Sequence, residues 1–195
     1  MRFFPLLVLG VTGVAACGGG DNTVTGKTNF PAKSAVALWQ ARDNGTTDLG
    51  LLSVLISTLS PKDICALVDQ GSVLSPLTAT QSYSVVYLGL VSAGPPLIAG
   101  SYPVLDTATI ESLNPPDGGF AGFQRLDNTS NGGLVLLNSD QSGSVTLSAV
   151  TFGTVLADGG SQGGEVKGKY SVLLTTDGGS PGNISGAFDA KGCQR

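Results

Sequence analysis

The sequence predicts a mainly β domain, an antiparallel β-sandwich or barrel of about eight or nine strands with one short helix near residues 60–70. Three observations carry this expectation. Charged residues make up only 12% of the 195-residue chain, too few to clothe the solvent face of long helices. Short runs of alternating apolar residues recur, each closed by glycine, asparagine, aspartate or proline. The 29 glycines supply the turn chemistry that many tight connections require.

Taken in order, Ser34–Ala41 sets Ala35, Ala37 and Trp39 against Val36 and Leu38. Asn44-Gly45 follows and marks a hairpin, because both central residues of a type I′ turn need positive φ. The return strand, Leu49–Leu59, is apolar on both faces, which predicts a central strand covered on both sides. A helix then opens at Ser60 as N-cap, with Pro61 in its first position, Asp63 as the acidic partner and Gly71 as its stop. Ile64, Leu67 and Val68 share one face of it. Gln81–Ser92 is the next strand, ended by Gly94-Pro95-Pro96. Gly100–Val104 leads into a weaker strand over Thr107–Leu113, and Phe120–Leu126 follows. The last third reads as four strands, Leu134–Asn138, Gly143–Phe152, Gly164–Thr175 and Asn183–Ala190. In the third of these Val166, Tyr170 and Val172 oppose Lys167, Lys169 and Ser171, one dry face and one wet. Gly168 and Gly186 are expected to mark strong twist or a bulge.

The N-terminus carries the address. Met1-Arg2 is a short positive region, and Phe3–Val14 an apolar run too short to span a bilayer, as in a signal peptide. Val14-Ala15-Ala16 then runs into Cys17. In these residues the sequence resembles bacterial lipoproteins, with Val14 standing where leucine is usual. The resemblance implies cleavage before Cys17 and acylation of that residue by fatty chains such as palmitate, with no polypeptide crossing the membrane. With Gly18 rather than aspartate after the cysteine, it implies delivery to the outer membrane. The organisation expected is a signal peptide over 1–16, a lipidated Cys17 with a flexible tether over 17–31, and a single β-rich domain over 32–195. The C-terminal half also resembles uncharacterised β-rich bacterial lipoproteins, a likeness that implies no activity.

The other two cysteines, Cys65 and Cys193, form an even pair in a chain read as exported, and so are expected to be disulfide-bonded. Histidine is absent, which removes the usual general base and the usual transition-metal ligand. The net charge of −4, with no basic stripe, argues against nucleic-acid binding. Gly159-Gly160-Ser161-Gln162-Gly163 and Gly178-Gly179-Ser180-Pro181-Gly182 fit the nucleophile-elbow pattern, but neither has a strand-to-helix setting or a histidine partner. Gly26-Lys27-Thr28 lacks the glycine spacing of a phosphate loop. Asp127–Gly132 imitates the start of a Ca²⁺ loop but ends on Asn138 where a bidentate glutamate belongs. Trp39, Tyr83, Tyr87, Tyr102 and Tyr170 could supply a sugar-stacking platform, although single aromatics in strands are more often core. A carboxylate-only enzyme would have to use Glu111 and Glu165. No catalytic residue, metal ligand or cofactor is therefore assigned. The expected role is that of a non-enzymatic envelope lipoprotein held to the membrane by its lipid anchor, its further partner an envelope protein or a glycan, with a glycan- or small-ligand-binding module as the alternative.

Overall fold

A computed structural model of the protein describes residues 22–26, 29–43, 48–69, 82–93, 97–106, 119–128, 134–155, 161–175 and 182–193. Its strands are β1 (Thr25–Gly26), β2 (Ser34–Asp43), β3 (Asp48–Ser57), β4 (Tyr83–Ala93), β5 (Gly100–Pro103), β6 (Phe120–Asn128), β7 (Leu134–Thr151), β8 (Thr154–Val155), β9 (Ser161–Gln162), β10 (Glu165–Thr175) and β11 (Gly182–Gly192), with α1 over Pro61–Asp69. The fold is mainly β, as predicted, and the choice between sandwich and barrel falls to a barrel. Strands β2, β3, β4, β6, β7, β10 and β11 pair in that order, all antiparallel, and a parallel contact from β11 back to β2 completes the ring. That contact is brief: Lys191 faces Val36 and Gly192 faces Ala37.

Two short strands fill the places where the ring would gape. Below its contact with β2, the edge of β11 is taken by β1, with Thr25 opposite Ser185 and Gly26 opposite Ile184. On the far side, β7 pairs with β6 at its start, from Leu134 to Asn138, and with β5 further on, from Ser144 to Leu147. The Gly100–Pro103 stretch expected only to introduce a strand is thus itself one. The strand expected at 107–113 lies outside the described residues, as do Gly71 and Glu111.

Two sequence expectations need correction. The strands read as Leu134–Asn138 and Gly143–Phe152 are one 18-residue strand. Its partner β10 stays paired across the apparent break, with Val172 opposite Gly143 and Leu174 opposite Ser139, so residues 140–142 form a bulge and not a turn. Gly143 makes this feasible with φ 138°, a conformation that side-chain-bearing residues avoid. In its described part, the stretch expected as a tether over 17–31 is bound to the domain. Asn22–Gly26 is bonded to β11, and Val24 and Phe30 are buried in the main core. A polar stretch can be structured when a sheet edge satisfies its backbone, and composition alone does not register that edge.

The inward positions of the strands fill the barrel. Ala35, Ala37 and Trp39 of β2 meet Leu52, Val54 and Ile56 of β3 and Val86, Leu88 and Leu90 of β4, all buried. The period of two that placed these residues on one face in the sequence is the period that turns them inward. Between β10 and β11, two glycines sit opposite two aromatics: Gly168 faces Phe188, and Gly186 faces Tyr170. A Cβ at Gly168 would strike the Phe188 ring, and one at Gly186 would strike the Thr23 carbonyl and the Tyr170 hydroxyl. The expected bulge is present at Gly168, where the register against β7 shifts. Gly186 instead opens a passage, through which the Tyr170 hydroxyl donates to the Thr23 carbonyl at 3.2 Å.

Outside the barrel, α1 closes a second core. Ser60 caps it: its Oγ accepts from the Asp63 amide at 3.2 Å and donates to the Asp63 carboxylate at 2.7 Å. Ile64, fully buried, packs with Val36, Leu55, Val85 and Leu126 from the outer faces of the strands and with Leu59 from the link before the helix. This is why β3 is apolar on both sides: one face lines the barrel and the other lies under the helix. Cys65 and Cys193 form the expected disulfide, with Cα atoms 5.8 Å apart, joining α1 to the residue that follows β11. The bridge closes a loop with a sequence separation of 128 residues.

Two outcomes are expected. Gly186→Ala should destabilise the barrel by about 1–3 kcal/mol and speed hydrogen exchange at the Ala187 and Asp189 amides, which bond to Thr23 and Asn22. Gly50→Ala, with nothing within 4 Å of the new methyl, serves as the near-neutral control. Reduction of the unfolded protein should add the mass of two hydrogens, and Cys65→Ser/Cys193→Ser should lower stability in urea titrations by about 4–5 kcal/mol, as loop-closure entropy predicts.

Candidate functional site

The described segment nearest the expected lipidation residue, Asn22–Gly26, and the Cys65–Cys193 disulfide both lie along the seam between β11, β1 and β2. Cys17 lies outside the described residues, but the chain after it enters the barrel wall almost at once. Asn22 accepts from the Asp189 amide through Oδ1 at 2.9 Å. The Thr23 amide donates to the Ala187 carbonyl at 3.0 Å, and the Ala187 amide donates back to Thr23 Oγ1 at 3.0 Å. Thr25 donates through Oγ1 to the Ser185 carbonyl at 3.0 Å. Short polar side chains are suited to this because they can bond a neighbouring backbone locally. The segment is therefore part of the sheet, and the disulfide fastens the other side of the same seam.

A buried ion pair that the sequence reading passed over stands in the barrel interior. Arg125 and Asp127 are two apart on β6 and so share its inner face. The guanidinium is held through Nε–Oδ2 and Nη2–Oδ1 contacts, both 3.0 Å, with side-chain exposures of 6% and 25%. Phe30 lies over the guanidinium at 5.1 Å, and Phe123 and Tyr170 pack ring to ring at 5.8 Å. Burial raises the Tyr170 hydroxyl above the usual phenol range, while the Arg125 charge pulls the other way. The available signal was the alternation itself, which puts Ala121, Phe123, Arg125 and Asp127 on one face. Since both Asp127 oxygens are engaged by Arg125, the first residue of the Ca²⁺-loop-like run is committed elsewhere. Residues 129–133 of that run lie outside the described residues, while Asn128 ends β6 and Leu134–Asn138 opens β7.

On the outer wall Lys167 reaches Glu165 at 3.1 Å and Asp189 at 2.9 Å. Burial pushes the Asp189 carboxyl up, but the hydrogen bond from Lys167 and the Lys167 and Lys191 charges outweigh it and hold it below the usual carboxylate range. The same partners raise Lys167. Glu165 thus belongs to a lysine-bridged cluster on an open sheet face, and Glu111 lies outside the described residues. Among the described residues, no group of three histidine, cysteine, aspartate or glutamate side chains could hold a metal ion.

The aromatics are mostly spent on packing. Trp39, Tyr83, Tyr102 and Tyr170 are buried, and half-buried Tyr87 shares its hydroxyl with Ser53 at 3.0 Å. Trp39 caps one end of the barrel, tilted against exposed Phe152 at 4.9 Å, with Gly153 and Gly164 so close that a Cβ on either would collide with the indole. Ser161, from the first nucleophile-like run, sits in β9 opposite Val155, and Ser180 lies outside the described residues. No protein family, curated protein or solved structure is significantly similar to this chain.

Removing one partner of a buried pair strands the other charge. Asp127→Ala should therefore cost about 2–4 kcal/mol in urea titrations, somewhat below the fully buried case because Asp127 is partly exposed. Arg125→Met/Asp127→Leu should recover most of that loss.

Proposed function

We propose that this protein is a lipid-anchored lipoprotein of the cell envelope, most readily of the outer membrane, whose barrel acts through its surface in a non-enzymatic structural or interaction role. The observation that carries the reading is the join between address and fold: Val14-Ala15-Ala16-Cys17 stands only a few residues before Asn22, where the chain is already bonded into the barrel wall. A fatty attachment at Cys17 would hold the whole barrel without any spanning segment, and several acyl chains give stable attachment where one does not. No helix among the described residues is long and apolar enough to cross a membrane. Among the described residues the inward positions are mostly buried apolar side chains, which favours recognition through the barrel's outer wall and ends.

The alternative, a glycan- or small-ligand-binding module, retains one favourable observation, the exposed Phe152 tilted against Trp39 at a barrel end. The other candidate platform residues contribute little exposed ring, so the interaction role through the outer wall is the better supported of the two.

Cys17→Ser decides the anchor. The variant should keep its leader, carry no fatty chains by mass spectrometry, and leave the detergent-extracted membrane fraction; unchanged fractionation would refute the reading.

A further inference from the structure

The place where the chain leaves the barrel limits which surface can face the membrane. Cys17 and Asn22 are five peptide steps apart, and a fully extended chain spans about 3.6 Å per residue, so the wall at Asn22 lies within about 18 Å of the Cys17 backbone. Asn22 is bonded beside Asp189 on β11, and Asp189 faces Lys167 on β10. With neighbouring strands about 4.8 Å apart, Lys167 is about 10 Å from Asn22, and Lys191 is a similar distance away along β11.

We propose that the outer face of β10 and β11, carrying Lys167, Lys169 and Lys191, docks on the anionic phospholipid headgroups of the membrane that holds Cys17; this rests on the lipid-anchor reading above. The three lysines are exposed and outnumber Glu165 and Asp189 between them, a net positive face on a chain whose formal charge is −4. Lys167 is engaged by both carboxylates, whereas Lys169 and Lys191 make no ion pair among the described residues. Across the same wall Ser144, Ser171, Ser185 and Thr25 stand side by side on four successive strands, a row of hydroxyls able to bond phosphate and glycerol oxygens. Among the described residues the large exposed apolar side chains, Ile98 and Phe152, lie off this wall, in the links before β5 and after β7. A face of ammonium and hydroxyl groups suits the headgroup layer and not the acyl interior.

The test uses the full-length acylated protein, inserted from outside into vesicles of phosphatidylethanolamine and phosphatidylglycerol or held in zwitterionic detergent. Both samples are treated briefly with a water-soluble amine-acetylating reagent and read by peptide mass spectrometry. Acetylation of Lys169 and Lys191 should fall about fivefold or more in vesicles relative to detergent, in line with the attraction of lysine to an anionic surface. Lys62, exposed on α1, should be unchanged, and vesicles of phosphatidylcholine alone should protect less. Lys169→Glu/Lys191→Glu should also abolish protection of Lys167. Equal acetylation in vesicles and detergent with Cys17 acylated overturns the docking face and leaves the anchor standing. A bare Cys17 in the same spectra overturns both.

Discussion

Closing the ring between β11 and β2 is the constraint on which the rest of the molecule depends. Every other neighbouring pair in the ring is antiparallel and shares at least five residue pairs; this one is parallel and has two. An open edge there would expose unpaired backbone and the apolar lining to water. Three features compensate from different parts of the chain: β1 covers the lower edge of β11, α1 packs on the outer face of β2, and the disulfide ties α1 to the residue after β11. The first and last strands, β1 and β11, thus meet at one line on the barrel surface. A pull on the N-terminal segment acts directly on that line.

Among the described residues the interior is mainly apolar, and the charged pair within it is well provided for. Arg125 has a bidentate carboxylate and an aromatic face, the combination that lets a guanidinium sit inside a protein. Phe30, which supplies the face, lies in the link between β1 and β2. The ion pair therefore also fixes the path by which the N-terminal segment passes under the barrel. Buried serines on the outer faces follow the same rule, with Ser34 donating to the Leu59 carbonyl and Ser57 to the Ser84 carbonyl.

Much of the fold was legible because a strand half covered by a core announces itself in the chain with a period of two. Trp39 and Leu52 were placed on their faces by that period, and Ser60, Pro61 and Asp63 marked the start of the helix through local capping chemistry. The reading broke where a decision depended on a distant partner. Asp140-Gln141-Ser142-Gly143 has turn composition, yet β10 runs unbroken alongside and makes it a bulge. Asn22–Gly26 has tether composition, yet the exposed edge of β11 makes it a strand.

The sequence by itself determined the β class, the antiparallel pairing of β2 with β3, the helix, and the pairing of Cys65 with Cys193, since each rests on residues close together or on there being only two candidates beyond Cys17; the Asn44-Gly45 turn itself lies outside the described residues. Tertiary structure alone decided that the sheet curls into a barrel and does not split into a sandwich. It also decided that Arg125 and Asp127 meet beneath Phe30, and that the chain after Cys17 is bonded to the wall beside the lysines. These depend on which edges come together in space, and backbone hydrogen bonds, being common to all residues, leave no mark of their partners in the order of side chains.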